Sequence, residues 1–142
     1  MTKVLFVCHG NICRSPMAEF VMKDMVAKAG RNGEFYIASA AVSREEIGNP
    51  VYPPARAELA RHGIGCAGHA AHQITRRELE EYDLIYYMDA SNGRYLRRLF
   101  GDDTAKCRPL LSRDVADPWY TGDFRQTYDD ILEGCRCIME EN

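Results

Sequence analysis

A short run between an apolar strand-like segment and a helix-like segment constrains this chain more than any other feature. The run reads Cys8-His9-Gly10-Asn11-Ile12-Cys13-Arg14-Ser15, with the apolar residues 4–7 before it and Pro16 after it. Backbone N–H groups and the helix dipole at such a helix start favour negative charge, and successive N–H groups can form a nest for an oxyanion. The sequence therefore predicts an anion-binding loop at the end of the first strand.

The loop also carries reactive side chains. Cys8 is the candidate nucleophile, because the helix start, the amide groups and Arg14 all favour the thiolate over the thiol. The guanidinium of Arg14 is a planar fork that fits two phosphoryl oxygens. Ser15 is placed to cap the helix and to hydrogen-bond the Cys8 sulfur, and Gly10 permits a tight turn. The loop therefore combines an oxyanion site with its own nucleophile.

Length and composition indicate one globular domain over residues 1–142. The chain is 46% hydrophobic and 27% charged, which is ordinary for a globular protein with a real core. A net charge of −3 predicts no nucleic-acid partner and no anionic membrane surface. No apolar run approaches the length of a membrane span, and Met1-Thr2-Lys3 leads directly into a strand, so we expect a cytoplasmic protein.

The six cysteines are expected to be free thiols, since a chain of this length without an export signal belongs in a reducing compartment. Cys135-x-Cys137 and His69-x2-His72 are the only metal-like spacings, and neither forms the paired pattern of a structural zinc site. We expect neither a metal nor a cofactor.

Hydrophobic patterning predicts strands that alternate with helices. Strands are predicted at 4–7, 35–38, 83–88 and 106–110, and helices from Pro16 with Ser15 as N-cap, at 53–62, 75–81, 91–100 and from Asp123. In these helices Ala29 and Leu99 are expected to face inward with their neighbours at helical spacing. The prediction is an α/β three-layer sandwich: a four-stranded parallel sheet with helices on both faces and the phosphate-binding loop after strand 1. Ligands of such sheets bind at the carboxyl ends of the strands, where this loop lies.

Three segments together resemble the low-molecular-weight protein tyrosine phosphatases: the loop Cys8 to Ser15, the following Pro16-Met17-Ala18-Glu19, and the distant Asp117-Pro118. The resemblance extends over essentially the whole chain. It implies hydrolysis of phosphotyrosine and small aryl phosphates through a phosphocysteine on Cys8, with Arg14 on the phosphoryl oxygens. Asp117 would be the general acid and then the base, directed by the restricted backbone before Pro118.

The resemblance also assigns supporting and substrate-binding residues. It implies that Asn11 props the loop through hydrogen bonds, with Ser39 and His62 as partners. Substrate would contact the loop residues His9, Gly10, Asn11, Ile12 and Cys13, together with Glu45 on one side of the cleft and Trp119 and Tyr120 on the other. The aromatic pair would stack on a phenyl ring, and a deep cleft would admit phosphotyrosine but not the shorter phosphoserine.

Three positions bear on specificity and regulation. The branch that resembles arginine phosphatases tends to carry threonine where this chain has Ile12, so Ile12 favours phosphotyrosine. The family often has two tyrosines where this chain has Trp119 and Tyr120, which puts regulation through a phosphorylated tyrosine pair in doubt. In place of a common aromatic residue near position 45 stands Glu45, followed by Glu46; we expect this acidic pair to favour basic residues beside the phosphotyrosine.

A second cysteine in the loop, Cys13, admits two interpretations. It can pack beneath the loop, or it can form a reversible disulfide with Cys8 that inactivates the enzyme and protects Cys8, as the resemblance implies. The redox role is favoured.

Alternative functions fit the residues less well. A thioredoxin-coupled arsenate reductase would need two further cysteines after the third strand, where this chain reads 86–91 Tyr-Tyr-Met-Asp-Ala-Ser. A non-catalytic phosphotyrosine-binding module would need neither Cys8 nor Asp117, and a nucleotide-binding loop would need Gly-Lys-Ser/Thr.

The expected partners follow from the resemblance. They are phosphotyrosyl proteins: in a bacterium a cognate autophosphorylating tyrosine kinase of the polysaccharide type, in an animal receptor-linked proteins. Phosphate and other oxyanions are expected inhibitors. Monomer and weak homodimer both stay open.

Overall fold

Four short strands form one parallel sheet. The computed structural model describes residues 1–142, with β1 (Thr2–Cys8), β2 (Phe35–Ala41), β3 (Leu84–Tyr87) and β4 (Cys107–Pro109). The strand order is β2-β1-β3-β4, and every neighbouring pair is parallel. Val4 of β1 lies opposite Ile37 on one side and Leu84 on the other. This interior place explains why β1 is an almost continuous apolar run.

Six α-helices connect and cover the strands. They are α1 (Arg14–Lys28), α2 (Pro53–Arg61), α3 (Arg76–Glu81), α4 (Ala90–Phe100), α5 (Pro118–Thr121) and α6 (Phe124–Glu141). Short 3-10 turns lie at Asn32–Glu34 and Gly101–Thr104. Local sequence sets several of the boundaries: Thr75 and Asp89 each form a capping box with the residue three positions later, which satisfies N–H groups of the first turn.

The sheet separates two apolar clusters because the side chains of β1 alternate between its faces. Val4, Phe6 and Cys8 point into the larger cluster, which α1, α2 and α6 cover. Leu5 and Val7 point into the smaller cluster on the other face, where α3 and α4 contribute Leu79 and Leu96. The molecule is thus a three-layer sandwich with helices on both faces.

The strand order places the end of β1 at a switch point. From β1 the chain moves first to β2 on one side and then to β3 on the other. The connections that leave the carboxyl ends of β1 and β3 therefore diverge and open a crevice there. The loop after Cys8 lies in this crevice.

The predicted fold class, sheet and loop position are confirmed, and local details differ. Helix α1 begins at Arg14 with Cys13 as N-cap and no side-chain cap, so the prediction that Ser15 caps the helix is wrong. Strand β2 continues through Ala41 because it keeps pairing with β1 as far as Cys8. Ala29 is an exposed C-cap residue and Leu99 is 40% exposed, so these two positions do not belong to the core.

Candidate active site

The loop between β1 and α1 contains a residue in the left-handed backbone region. Asn11 has φ 61°, the one positive φ outside glycine, and asparagine adopts this conformation more readily than most residues. Gly10 has no positive φ. Its missing side chain instead leaves room for Glu46, whose Cγ would lie 3.2 Å from a Cβ at Gly10. The turn that the sequence ascribed to glycine is therefore made by Asn11.

Three donors converge on the sulfur of Cys8, which is 3% exposed. The N–H groups of Asn11 and Ser15 donate to Sγ at 3.3 Å and 3.4 Å, and the Ser15 hydroxyl lies 3.0 Å from it. The side-chain amide of Asn11 donates to Ser15 Oγ at 2.8 Å, so the hydroxyl proton has two acceptors, the sulfur at 3.0 Å and the more distant Ala40 carbonyl at 3.4 Å. This environment suits a negatively charged sulfur.

A buried chain of polar groups holds Asn11 from one side. Its side-chain amide also donates to Ser39 Oγ at 3.0 Å, and the Ser39 hydroxyl donates to Glu19 at 2.6 Å. Glu19 in turn accepts from Lys23 at 2.6 Å. The structure therefore places Ser39, predicted as a partner of Asn11, in direct contact with it.

His62, the other predicted partner of Asn11, lies elsewhere. Its Nε2 bonds the buried carboxylate of Glu58 at 2.8 Å, and its ring stacks on Tyr128 with centroids 3.6 Å apart. The prediction that His62 supports the loop is wrong because His62 is the C-cap residue of α2 and its ring is held between α2 and α6.

The histidines that do support the loop were missed as functional residues. Nε2 of His69 lies 2.7 Å from the Asn11 carbonyl oxygen, and the His72 N–H donates to Asn11 Oδ1 at 3.3 Å. The His72 ring bonds Glu78, and this bond raises the pKa of His72. From the sequence, the spacing of the two histidines suggests only a metal site, which the incomplete pattern rejects, whereas the segment that carries them contacts the loop between β1 and α1.

Arg14 is fixed from three directions although it is only 2% exposed. Nη1 donates to Asp89 at 2.7 Å and to the Val115 carbonyl at 2.8 Å, and Nη2 lies 3.4 Å from Asp117. Burial lowers the pKa of Arg14, but Cys8, Asp117 and Asp89 together raise it above its usual value. Asp89, which follows β3 and caps α4, was another residue missed from the sequence.

Asp117 presents one carboxylate oxygen to the guanidinium of Arg14. The other, Oδ1, accepts the Trp119 N–H at 3.0 Å, which caps the short helix α5. The Asp117 side chain is 24% exposed, so the carboxyl group is aimed by α5 and open to the cleft.

These groups line one cleft of about 240 Å³. Nearly all the predicted catalytic and substrate-binding residues line it, and Asn11 and Ser15 lie buried beneath it. The lining residues are Cys8, His9, Gly10, Ile12, Cys13, Arg14, Glu45, Glu46, Asp117, Trp119 and Tyr120.

Aromatic side chains form one rim of the cleft. Trp119 is 53% and Tyr120 85% exposed, which is unusual for large aromatic side chains. Tyr52, not anticipated from the sequence, packs against Trp119 with centroids 4.9 Å apart. The rim is therefore an apolar wall that faces solvent.

The opposite rim is acidic. Glu45 bonds His9 Nε2 at 2.6 Å, and the His9 ring meets Tyr95 edge-on at 5.4 Å. Together with Glu46 and Asp117, Glu45 gives the lining of the cleft three carboxylates, whereas Arg14 is its only arginine. This charge pattern suits a ligand with an anionic tip and cationic flanks.

Cys13 lines the cleft beside Cys8 but is 5% exposed. Burial and the nearby charges of Cys8 and Asp117 raise the pKa of Cys13 to about 12. All six cysteines are free thiols.

No group of three or more His, Cys, Asp or Glu side chains is arranged to hold a metal ion, and no helix is both long and apolar enough to cross a membrane.

Comparison with known proteins gives matches over the whole chain. The family described as low molecular weight phosphotyrosine protein phosphatase matches residues 3–141. The low molecular weight protein-tyrosine-phosphatase YfkJ of Bacillus subtilis is 40% identical, with 98% of this chain and 94% of the relative covered. The human low molecular weight phosphotyrosine protein phosphatase is 38% identical, with 97% and 94% covered.

Solved structures are similar to this chain over nearly its whole length. The crystal structure of YfkJ has a TM-score of 0.94 at 39% identity and covers 99% of this chain and 94% of that chain. A more distant likeness is the YwlE arginine phosphatase, a cysteine-to-serine mutant with a phosphorylated active-site serine. It has a TM-score of 0.87 at 27% identity and covers 99% of this chain and 95% of that chain. With its loop, cleft and these matches, the chain belongs to the low molecular weight phosphotyrosine protein phosphatases, a family of hydrolases.

Proposed function

We propose that the protein hydrolyses phosphotyrosine in proteins, and small aryl phosphates, through a phosphocysteine on Cys8. The observation that carries this proposal is the Cys8 sulfur on the cleft floor with three donors within 3.4 Å. The phosphorylated active-site serine of the YwlE mutant supports a phosphoenzyme at the corresponding kind of residue. The family to which the chain belongs supports phosphotyrosyl proteins as substrates.

In the first step the Cys8 sulfur attacks phosphorus and the bond from phosphorus to the phenolic oxygen breaks. Arg14 holds phosphoryl oxygens through the displacement, with its fork kept in place by Asp89 and the Val115 carbonyl. A protonated Asp117 gives its proton to the departing phenolate oxygen, which leaves as a phenol. The phosphoryl group is then bound to Cys8.

In the second step Asp117, now ionised, takes a proton from water while the water oxygen attacks phosphorus. The sulfur of Cys8 leaves as a thiolate, and the Ser15 hydroxyl at 3.0 Å stabilises the charge that it acquires. Inorganic phosphate is released. As the product it binds the same loop, so phosphate and similar oxyanions compete with substrate.

The cleft rims support selectivity for phosphotyrosine. A phenyl ring can stack on Trp119 and Tyr120 while the phosphate reaches the floor, whereas a serine side chain is too short to do both. Ile12 keeps the cleft floor apolar beside Cys8.

The experiment compares phosphate release from phosphotyrosyl, phosphoseryl and phosphoarginyl peptides by the wild type and by Cys8→Ser. We expect turnover selective for phosphotyrosine, abolished in Cys8→Ser. Turnover mainly of phosphoarginine would reassign the substrate, and binding without turnover of any of them would leave a binding module. Asp117→Asn adds a test of the acid: it should lose far more activity toward a poor phenol leaving group than toward p-nitrophenyl phosphate.

The proposal also covers redox control of the enzyme and its location in the cell. Cys8 and Cys13 line the same cleft as free thiols, and a disulfide between them would inactivate the enzyme reversibly. A cytoplasmic setting, where thiols stay reduced, fits this role. A cognate tyrosine kinase is the partner that would supply phosphotyrosyl substrate.

A further inference from the structure

Helix α4 exposes three arginines on its outer side. Arg94, Arg97 and Arg98 are all exposed, and none forms an ion pair with an acidic side chain. Several other arginines are paired, namely Arg61 with Glu58, Arg76 with Asp103, Arg113 with Asp130 and Arg125 with Asp129. Arg44, Arg56, Arg108 and Arg136 are also unpaired, but each is the only unpaired arginine of its helix, strand or loop, whereas α4 carries three. The three α4 arginines form a positive surface on a chain whose net charge is −3.

Stabilisation of helix α4 explains only two of its three exposed arginines. Arg97 and Arg98 lie in the last turn of α4, where positive charge interacts favourably with the helix dipole. Arg94 lies mid-helix. It stands three and four residues before the other two, a spacing at which like charges destabilise a helix. The position of Arg94 therefore calls for a reason outside the helix.

The positive surface is continuous with the cleft. The Arg98 guanidinium lies over the Tyr95 ring at 5.2 Å, and Tyr95 meets the ring of His9, which lines the cleft. The first residue before α4 is Asp89, which holds Arg14 on the cleft floor. Along the helix axis, Arg94 and Arg98 stand about 7.5 and 13.5 Å from Asp89, at about 1.5 Å per residue.

The acids near the α4 arginines leave an excess of positive charge: Asp102, in the turn after α4, forms no ion pair and is one free negative charge beside three arginines. On α3, Arg76 engages Asp103, and Arg77 is 90% exposed with a 4.0 Å approach to Glu81. Glu45 at the rim is engaged by His9.

We infer that the outer face of α4 binds an acidic stretch of the same substrate protein whose phosphotyrosine occupies the cleft. The inference rests on the proposed function and deepens it by naming a class of substrate. An extended chain advances about 3.3 Å per residue, so the acidic residues would lie about two to four residues from the phosphotyrosine. The surface would then lower KM for such substrates and leave the chemistry on Cys8 unchanged.

The test uses phosphotyrosyl peptides that are identical directly beside the phosphotyrosine and carry either glutamates or glutamines about two to four residues away. One pair has these residues on the amino side and a second pair on the carboxyl side. For the wild type at about 50 mM salt, we expect kcat/KM to be about five-fold higher for the glutamate member of at least one pair, mainly through KM. At about 0.5 M salt the preference should largely disappear, because the Debye length is then short.

Arg94→Gln/Arg98→Gln should remove the preference and leave kcat/KM for p-nitrophenyl phosphate unchanged. The matched control is Arg108→Gln/Arg136→Gln, which removes the same charge on the other side of the sheet. This control should keep the preference.

The outcomes separate the two proposals. Equal kcat/KM for glutamate and glutamine peptides, or equal loss in both double variants, would overturn the inference and leave the phosphatase intact. Failure to hydrolyse any phosphotyrosyl peptide would overturn the proposed function and the inference with it.

Discussion

The hydroxyl oxygen of Ser15 lies 3.0 Å from the sulfur of Cys8 while it accepts a hydrogen bond from the Asn11 side chain at 2.8 Å. The Asn11 amide occupies a lone pair of the hydroxyl, so the hydroxyl proton is available to the sulfur, which lies nearer than the other acceptor, the Ala40 carbonyl at 3.4 Å. The bond therefore matters most when the sulfur carries charge, which in the proposed mechanism includes the moment when the thiolate leaves the phosphocysteine.

Ser15→Ala should slow breakdown of the phosphocysteine more than its formation. A hydrogen bond to a charged group contributes about 1.5–3 kcal/mol, which predicts a fall in kcat of about ten- to a hundred-fold with p-nitrophenyl phosphate. Rapid mixing should show a burst of p-nitrophenol that the exposed control Ser112→Ala lacks. A slow first turnover without a burst would place Ser15 in the first step instead.

The left-handed backbone of Asn11 predicts an inverted order of stability for two variants. Asn11→Gly and Asn11→Ala both lose the amide contacts to Ser15 and Ser39 and should lose most activity. At φ 61° the alanine pays an additional cost of about 1–2 kcal/mol that glycine avoids. Urea unfolding should therefore show Asn11→Ala to be less stable than Asn11→Gly. The opposite order would mean that the loop abandons the left-handed turn once the amide is gone.

Recovery of activity after oxidation should differ between the wild type and Cys13→Ser. Peroxide converts the Cys8 thiolate to a sulfenic acid, and the Cys13 sulfur then displaces water to form the disulfide. After brief peroxide treatment and then dithiothreitol, we expect the wild type to regain activity and Cys13→Ser to regain less, because its sulfenic acid oxidises further. Cys137→Ser, which changes an exposed thiol, is the control. Equal recovery in all three proteins would leave Cys13 with a packing role.

The raised pKa of Cys13 predicts how disulfide closure depends on pH. With a pKa of about 12, its thiolate fraction rises about tenfold per pH unit through the neutral range. Closure, followed by mass spectrometry after a peroxide pulse, should accelerate as pH rises. Formation of the sulfenic acid removes the Cys8 charge, one of the causes of the shift, which raises the thiolate fraction of Cys13 at each pH and leaves its dependence on pH the same. A rate independent of pH would contradict this account.

Glu45→Gln tests the acidic rim. The variant can keep a hydrogen bond to His9 but loses a negative charge, so a phosphotyrosyl peptide with flanking lysines should lose about two- to five-fold in kcat/KM. Activity toward p-nitrophenyl phosphate should stay the same, and the exposed Glu140→Gln serves as the charge-matched control. An acidic-flanked peptide cleaved by the wild type as well as the basic one would refute this role for Glu45.

Residues of the catalytic loop could be predicted from the sequence because they are close along the chain. Residues 8–15 lie between a strand and a helix, so their proximity follows from local structure. Asp117 could be found only because Asp-Pro resembles the family pattern, and its distance to Arg14 follows from the fold alone.

Supporting residues were harder to predict because their partners are far apart in sequence. His69 contacts Asn11 across 58 positions and Asp89 contacts Arg14 across 75. His62 and His69 both precede small residues in a glycine-rich segment, and nothing local distinguishes a helix-end histidine from a loop-supporting one. Periodicity likewise placed Ala29 and Leu99 inward, although Ala29 is the C-cap residue after α1 and Leu99 lies in the last turn of α4, where both are exposed.

The left-handed turn at Asn11 is held by Ser39, by the 69–72 segment and by the start of α1, so the short loop owes its shape to distant parts of the chain. A nascent chain that ends before residue 69 contains all of residues 8–15 but lacks the contacts from the 69–72 segment that hold Asn11 in the left-handed turn. Phosphatase activity should therefore appear late in folding and vanish early in unfolding, which makes turnover a reporter of the completed sheet. A reactive cysteine that is assembled only in the finished protein is also one that folding intermediates do not expose in its activated form.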